Sequence, residues 1–265
     1  MAAARAGAQR YPADPARAFV SVCTASEAAT GLIESILPAE VAFAEAFHDA
    51  APAPLFPVEE ALVARAVDRR RAEFATARAC ARRALAELGV APGAIGRGKR
   101  GEPKWPAGIV GSITHCDGYR AAAVALGNAV ASAGIDAEPN GSLSRRVLEA
   151  IALPAERDRV AILATVSPTV HWDRLLFCAK EAVFKAWFPL TGCDLGFADA
   201  NIAFSADDTA FTARLLVPGP QVCGRLLSSF TGRWVCAGGL LAAAIVVPRR
   251  DTHTPPGSRQ QPERP

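Results

Sequence analysis

Lysine is scarce in this chain. Among 29 basic residues only Lys99, Lys104, Lys180 and Lys185 are lysines, and the last two fall within one six-residue segment. The abundance of alanine and arginine has the look of a coding bias, which makes those lysines the more informative. Charge of one sign is lacking as well: 29 basic against 26 acidic residues leave a net charge of +3, no basis for non-specific nucleic-acid binding. The cysteines (Cys23, Cys80, Cys116, Cys178, Cys193, Cys223 and Cys236) are scattered, odd in number and without a C-x-x-C pair. That pattern argues against a disulfide framework and against a zinc site. Reduced thiols in a cytosolic protein are the simplest reading. No apolar run is long enough for a membrane. The most apolar stretch, 235–247, is interrupted by Gly238 and Gly239 and reads as a buried strand or strand pair. The N-terminal segment has no apolar core of a secretory signal. Neither a linker nor a tandem repeat is evident.

What is present suits a globular protein: 51% of the 265 residues are apolar, enough for one large domain or two small ones. Residues 1–16 read as a mobile N-terminus, and 249–265, polar and Pro-rich, as a disordered tail. Basic residues cluster at 69–71, 78–83 and 97–104. A local basic surface suits a small polyanion, and a solvated helix face is the plain alternative. Residues 58–88 have helical spacing with no Pro or Gly, and Gly89 stops them. Spacings of eight and four bring Arg70, Arg78 and Arg82 near one face. A Gly-rich basic loop follows at 96–104. Residues 109–115 lead to a turn at Asp117-Gly118, and 119–126 and 129–138 read as strands joined in a hairpin by Gly127-Asn128. A broken helical stretch covers 144–163. The segment 172–187 places Trp172, Leu175, Leu176, Ala179, Val183, Ala186 and Trp187 on one apolar stripe, a helix ended by Pro189. Residues 201–247 read as β-rich, so the class is α+β.

Three short elements carry candidate chemistry. In Gly134-Ile135-Asp136-Ala137-Glu138, residues two apart on a strand share a face, so Asp136 and Glu138 stand side by side. Like charges that close are costly without a cation or a proton between them. Two solvated acids at a strand end are the alternative. In Lys180-Glu181-Ala182-Val183-Phe184-Lys185, Glu181 lies opposite the apolar stripe, flanked by Phe177, Phe184 and Phe188. A surface pair of Glu181 with Lys185 is the plain reading. The flanking aromatics favour partly buried charges that need partners. A third carboxylate beside Asp136 and Glu138 would complete an oxygen-rich site suited to Mg²⁺, with Lys180 and Lys185 serving phosphates beside it. Gly111-Ser112-Ile113-Thr114-His115 adds two hydroxyls and an imidazole next to the basic loop. No spacing supports nucleophilic catalysis by Ser or Cys.

These elements, in this order, resemble the Sfp/EntD-type 4′-phosphopantetheinyl transferases, whose pattern runs G-S-[ILM]-[ST]-H, G-[IV]-D-x-E, K-E-[AS]-x-x-K. The matches are Gly111 to His115, Gly134 to Glu138 and Lys180 to Lys185, and the similarity extends from about residue 55 to about 247, closest to the actinobacterial branch. The resemblance implies two similar α+β lobes in one chain, 17–127 and 128–248, with the active site at their interface. It implies a cytoplasmic monomer that transfers the 4′-phosphopantetheine group of coenzyme A to a serine of an apo carrier protein. Adenosine 3′,5′-bisphosphate is released, and the cofactor is Mg²⁺ or, in its place, Mn²⁺.

Residue by residue, Asp136, Glu138 and Glu181 match the metal-binding acids, and Glu181 also matches the base for the carrier serine. Lys180 matches a lysine at the transferring phosphate, and Lys185 one that holds the diphosphate. Ser112, Thr114 and His115 match the segment on the coenzyme A phosphates, while Arg70, Arg78 and Arg97 fall where basic contacts to the 3′-phosphate and diphosphate are placed. Phe177 stands where many members carry Trp. Glu102 stands where some carry a Lys that touches the nucleotide, a charge that Arg97, Lys99 or Arg100 would supply here. The carrier is left open among fatty-acid, polyketide, siderophore and other non-ribosomal-peptide systems, and residues 139–171 are the candidate docking segment. Another Mg²⁺-dependent transferase using coenzyme A or a nucleotide, and a non-catalytic carrier-binding protein, are the competing readings; the intact charge set speaks against the second.

Overall fold

A computed structural model describes residues 31–49, 54–205 and 208–249. Residues 1–16, Cys23 and all of the expected tail except Arg249 lie outside the described residues.

The first part of the chain contributes β1 (Ala42–Ala46), α1 (Pro57–Leu62), α2 (Asp68–Glu87), the short strands β2 (Gly96–Arg97) and β3 (Pro103–Lys104), then β4 (Ile109–Cys116) and β5 (Tyr119–Leu126). β5 is the central strand of an antiparallel sheet ordered β1-β5-β4. Its residues Ala121 to Ala125 are buried on both faces. On one face Cys80, Ala81, Ala84 and Leu85 of α2 pack against Ala44, Ala122 and Val124. On the other lie Ile33, Ile36, Val130 and Ile135. Alanines along the strand let the helix come close, and burial on both faces replaces alternation by a continuous apolar run.

The second part contributes β6 (Val130–Pro139), α3 (Arg145–Ile151), α4 (Pro154–Val166), α5 (Trp172–Thr191) and β7 to β12 (Ala200–Phe204, Ala210–Leu215, Gln221–Val222, Arg225–Leu226, Ser229–Ala237 and Leu240–Pro248). Its main sheet is ordered β6-β12-β11-β8-β7 and is antiparallel throughout. The β11–β12 hairpin turns on Gly238 and Gly239 at φ of 57° and 76°, a pair of left-handed positions that glycine meets without strain. α5 lies on the inner face of this sheet. A Cβ at Gly134 would fall 2.1 Å from the Ala182 carbonyl oxygen and 2.6 Å from the Ala186 nitrogen, so only glycine lets β6 touch the α5 backbone. Each lobe therefore seats one long helix on one antiparallel sheet, the two-lobed α+β arrangement expected.

The lobes meet edge to edge, β4 against β6. Two hydroxyls bridge the strands: Ser112 Oγ accepts from the Ile135 N–H at 3.1 Å, and Thr114 Oγ1 accepts from the Ala137 N–H at 3.0 Å and donates to Asp136 Oδ1 at 3.1 Å.

Three expectations are corrected. The helix over 58–88 is two helices, because the chain turns at residues 63–67 and Arg71 caps the first one, donating to the Val63 carbonyl at 3.0 Å. β5 and β6 do not form a hairpin: β5 pairs with β4 and β1, while β6 joins β12 in the other sheet. Alternation shows that a segment is a strand and is silent on its partner. Pro189 does not end α5, which continues to Thr191 and stops at Gly192, φ 65°, whose N–H closes on the Phe188 carbonyl. Proline in a last turn forfeits one backbone bond without blocking the turn.

Candidate active site at the lobe junction

Because β4 and β6 are bridged and α5 crosses β6 at Gly134, the acidic and lysine motifs converge. Lys185 Nζ donates to Asp136 Oδ1 at 2.7 Å, to the Ile135 carbonyl at 3.0 Å and to the Ile113 carbonyl at 3.4 Å. Its ammonium thus pins both lobes. Burial opposes that charge, but Asp136, with help from Glu181, outweighs it and holds Lys185 above the ordinary lysine range. Glu138 and Glu181 are both raised above the usual carboxylate range, by burial first and by the Asp136 charge second. Asp136 therefore repels both glutamates, with Lys185 as partial relief.

Asp136 is 6% exposed, and its Oδ2 has no hydrogen-bond partner among the described residues. A buried, orphaned carboxylate oxygen costs on the order of 1–3 kcal/mol or more unless something occupies it. Among the described residues no three His, Cys, Asp or Glu side chains already converge as a metal cage. Glu138 Oε2 accepts from Arg174 Nη1 at 3.1 Å and is held on that side. The donor set is all carboxylate oxygen, the chemistry of Mg²⁺, and Oδ2 of Asp136 is free for it. The residues fit a divalent cation.

Beside this cluster lies a cavity of about 570 Å³ bordered by Trp105, Ser112, Glu181, Phe184, Lys185 and Phe188. An Arg100–Asp194 ion pair joins the β2–β3 hairpin to the loop after α5, crossing from one lobe to the other at its rim. A smaller recess of about 210 Å³ is lined by Lys180, Glu181, Phe184 and Leu195. Glu181 borders both.

The remaining expected residues divide. Arg70 Nη1 donates to His115 Nε2 at 2.8 Å, so that nitrogen is unprotonated. Partial burial, then Arg70 and Lys185, push the imidazole down to about 4; its solvent-exposed edge screens part of this. Arg97 is exposed in β2. Arg78 is not at an open surface. It is 5% exposed, donates to the Ile95 carbonyl at 3.1 Å, stacks over Phe74 and, with Arg82, faces the buried Glu59. Burial pushes it down to about 10. Ser112 and Thr114 spend their hydroxyls on β6.

Lys180 is the clearest departure. Its side chain runs away from the acids into the second lobe, where Nζ meets Glu156 at 2.9 Å and the Phe197 and Ala200 carbonyls at 2.5 and 2.9 Å. Phe177 packs on Phe197 as an aromatic filler, and Glu102 turns back onto its own hairpin, accepting from the Arg100 N–H at 2.9 Å.

Sequence reasoning missed Arg174. The signal was available: it lies seven residues before Glu181, two turns back on the same helix face. Also missed was Glu73, whose carboxylate orients Arg70 at 3.2 Å and Arg69 at 3.0 Å.

Comparison with known proteins matches residues 58–125 to the 4′-phosphopantetheinyl transferase N-terminal domain and 132–237 to the 4′-phosphopantetheinyl transferase superfamily. The chain is 55% identical over 219 residues to 4′-phosphopantetheinyl transferase Svp of Streptomyces mobaraensis, covering 82% of this chain and 89% of that one. It is 50% identical over 224 residues to 4′-phosphopantetheinyl transferase PptT of Mycobacterium tuberculosis, covering 82% and 98%. Enterobactin synthase component D of Escherichia coli is 36% identical over 137 residues, 51% of this chain and 62% of that protein.

Proposed function

The chain belongs to the 4′-phosphopantetheinyl transferase superfamily, and on that premise we propose how its residues divide the work. The reaction moves the 4′-phosphopantetheine group of coenzyme A onto a carrier protein. The observation that carries the assignment of roles is the convergence of Asp136, Glu138, Glu181 and Lys185 beside a cavity at the lobe junction.

Asp136, Glu138 and Glu181 would hold Mg²⁺, which offsets phosphate charge and orients the diphosphate. Glu181 accepts the proton of the carrier serine as its oxygen attacks the β-phosphorus. The new bond is serine oxygen to phosphorus, the broken one phosphorus to the bridging oxygen, and adenosine 3′,5′-bisphosphate leaves. Lys185, already on Asp136, faces the diphosphate. His115, Arg70 and Arg97 receive the 3′-phosphate; the arginines bring the charge and the neutral imidazole a hydrogen bond. The apolar walls of the larger cavity take an uncharged part of coenzyme A. Lys180 is a brace of the second lobe in this scheme. α3, which exposes Arg145, Arg146 and Val147, suits an acidic carrier surface.

Asp136→Asn tests the scheme. Transfer should drop by two orders of magnitude or more, and the remaining rate should need far more Mg²⁺ (on the order of 10²-fold for a lost charged ligand). An unchanged Mg²⁺ response would remove Asp136 from the site.

A further inference from the structure

Glu138 does not wait for a cation with its charge bare. Its carboxylate lies on Arg174, and the two side chains are 20% and 25% exposed. The guanidinium engages three acceptors with three different nitrogens: Glu138 Oε2 from Nη1 at 3.1 Å, the Gly141 carbonyl from Nε at 3.0 Å and the Ser142 carbonyl from Nη2 at 3.4 Å. Two of these nitrogens anchor the loop between β6 and α3 and do not depend on Glu138. Asp173 fixes the same loop from its other side, accepting from the Leu143 N–H at 2.7 Å. The fork can therefore release the carboxylate and keep its place, which lysine, with one nitrogen, could not do.

We propose that Arg174 is a placeholder for the metal. It holds Glu138 while the site is empty, yields it when a divalent cation enters, and so sets the affinity for that cation. The inference rests on the metal reading given above. Two physical effects run the same way. A cation must outbid Arg174 for the Glu138 oxygen, and the guanidinium charge repels a divalent ion that comes to the same carboxylate.

The test is a titration of Mn²⁺, followed by electron paramagnetic resonance, into enzyme saturated with coenzyme A and free of carrier. Arg174→Gln should lower the Mn²⁺ Kd about tenfold, and Arg174→Lys should fall between it and the wild type. Asp173→Ala, which removes the acceptor of the Leu143 N–H and loosens the loop without touching Glu138, should stay within about twofold of wild type. Arg174→Gln with an unchanged or weaker Kd would overturn the proposal, and so would an Asp173→Ala enzyme that tightens as much as Arg174→Gln. Asp136→Asn separates the two levels of the argument. If it binds Mn²⁺ as wild type does, the metal reading itself fails and the placeholder with it. If it loses Mn²⁺ while Arg174→Gln is unchanged, the metal reading stands and the placeholder alone is refuted.

Discussion

Replacing Lys180 by methionine should damage stability far more than chemistry. The Lys180 and Glu156 side chains are 2% and 1% exposed, and the ammonium also satisfies the Phe197 and Ala200 carbonyls. Burial draws its pKa down from the ordinary lysine value while Glu156 resists. Methionine fills similar space but leaves Glu156 charged and unpaired. Breaking a buried ion pair from one side costs about 3–5 kcal/mol. Glu156 keeps two backbone donors, Leu153 N–H at 2.8 Å and Ile202 N–H at 2.7 Å, which favours the lower end. The expected loss is about 3 kcal/mol, a fall in Tm of roughly 6–12 °C for a chain of this size. Urea unfolding at 25 °C measures the first quantity. Single-turnover transfer at 15 °C, where the variant is still folded, should remain within about fivefold of wild type, as a brace outside the substrate contacts requires. Lys180→Met with Glu156→Gln removes the orphaned charge and should recover most of the stability. Were Lys180 on the transferring phosphate, the rate would instead fall on the order of 10²–10³-fold with little loss of stability, and the double substitution would restore nothing. That outcome would refute the reasoning.

Two further substitutions probe the geometry of the site. Glu181→Gln should abolish most transfer and yet, without divalent cations, melt no lower than wild type at pH 7.5. The folded-state pKa of Glu181 is raised, so its ionisation works against the fold, and the stability lost as pH rises through that pKa returns when the charge is deleted. The advantage of the variant should shrink towards pH 4, where wild-type Glu181 is protonated; a variant less stable at neutral pH and not at pH 4 would reverse the sign. Gly134→Ala should cost about 3 kcal/mol or more through overpacking against α5. It should also lower transfer by more than tenfold at temperatures where it stays folded, by moving Glu181 and Lys185 off Asp136; full activity would contradict the close β6–α5 contact.

The helix over α5 and the β-rich second half are legible in the sequence, because each is written in local periodicity. Asp136 and Glu138 two apart on a strand, and Glu181 opposite the stripe of α5, follow from backbone geometry alone. Partners across the chain were not legible. β6 turned out to pair with β12 rather than β5, since alternation is the same whichever strand lies alongside. Lys180 and Lys185 look equivalent on paper. A difference of five residues on a helix sends them to different sides, one to Glu156 in the second lobe, the other to Asp136. Arg78 likewise reads as one of a basic row, while its burial against Glu59 depends on α1, a separate helix earlier in the chain. Ser112 and Thr114 carry the lobe junction, a role that no motif announces.

Intact-protein mass spectrometry of a purified apo carrier domain, incubated with the enzyme, coenzyme A and Mg²⁺, bears most directly on the central claim. A single phosphopantetheine-sized mass gain on the carrier is expected, lost when its serine is changed to alanine, when EDTA is added, and with Glu181→Gln in place of the wild type. A carrier that stays unmodified across fatty-acid, polyketide and peptide types, or one modified equally well by Glu181→Gln, would contradict the account.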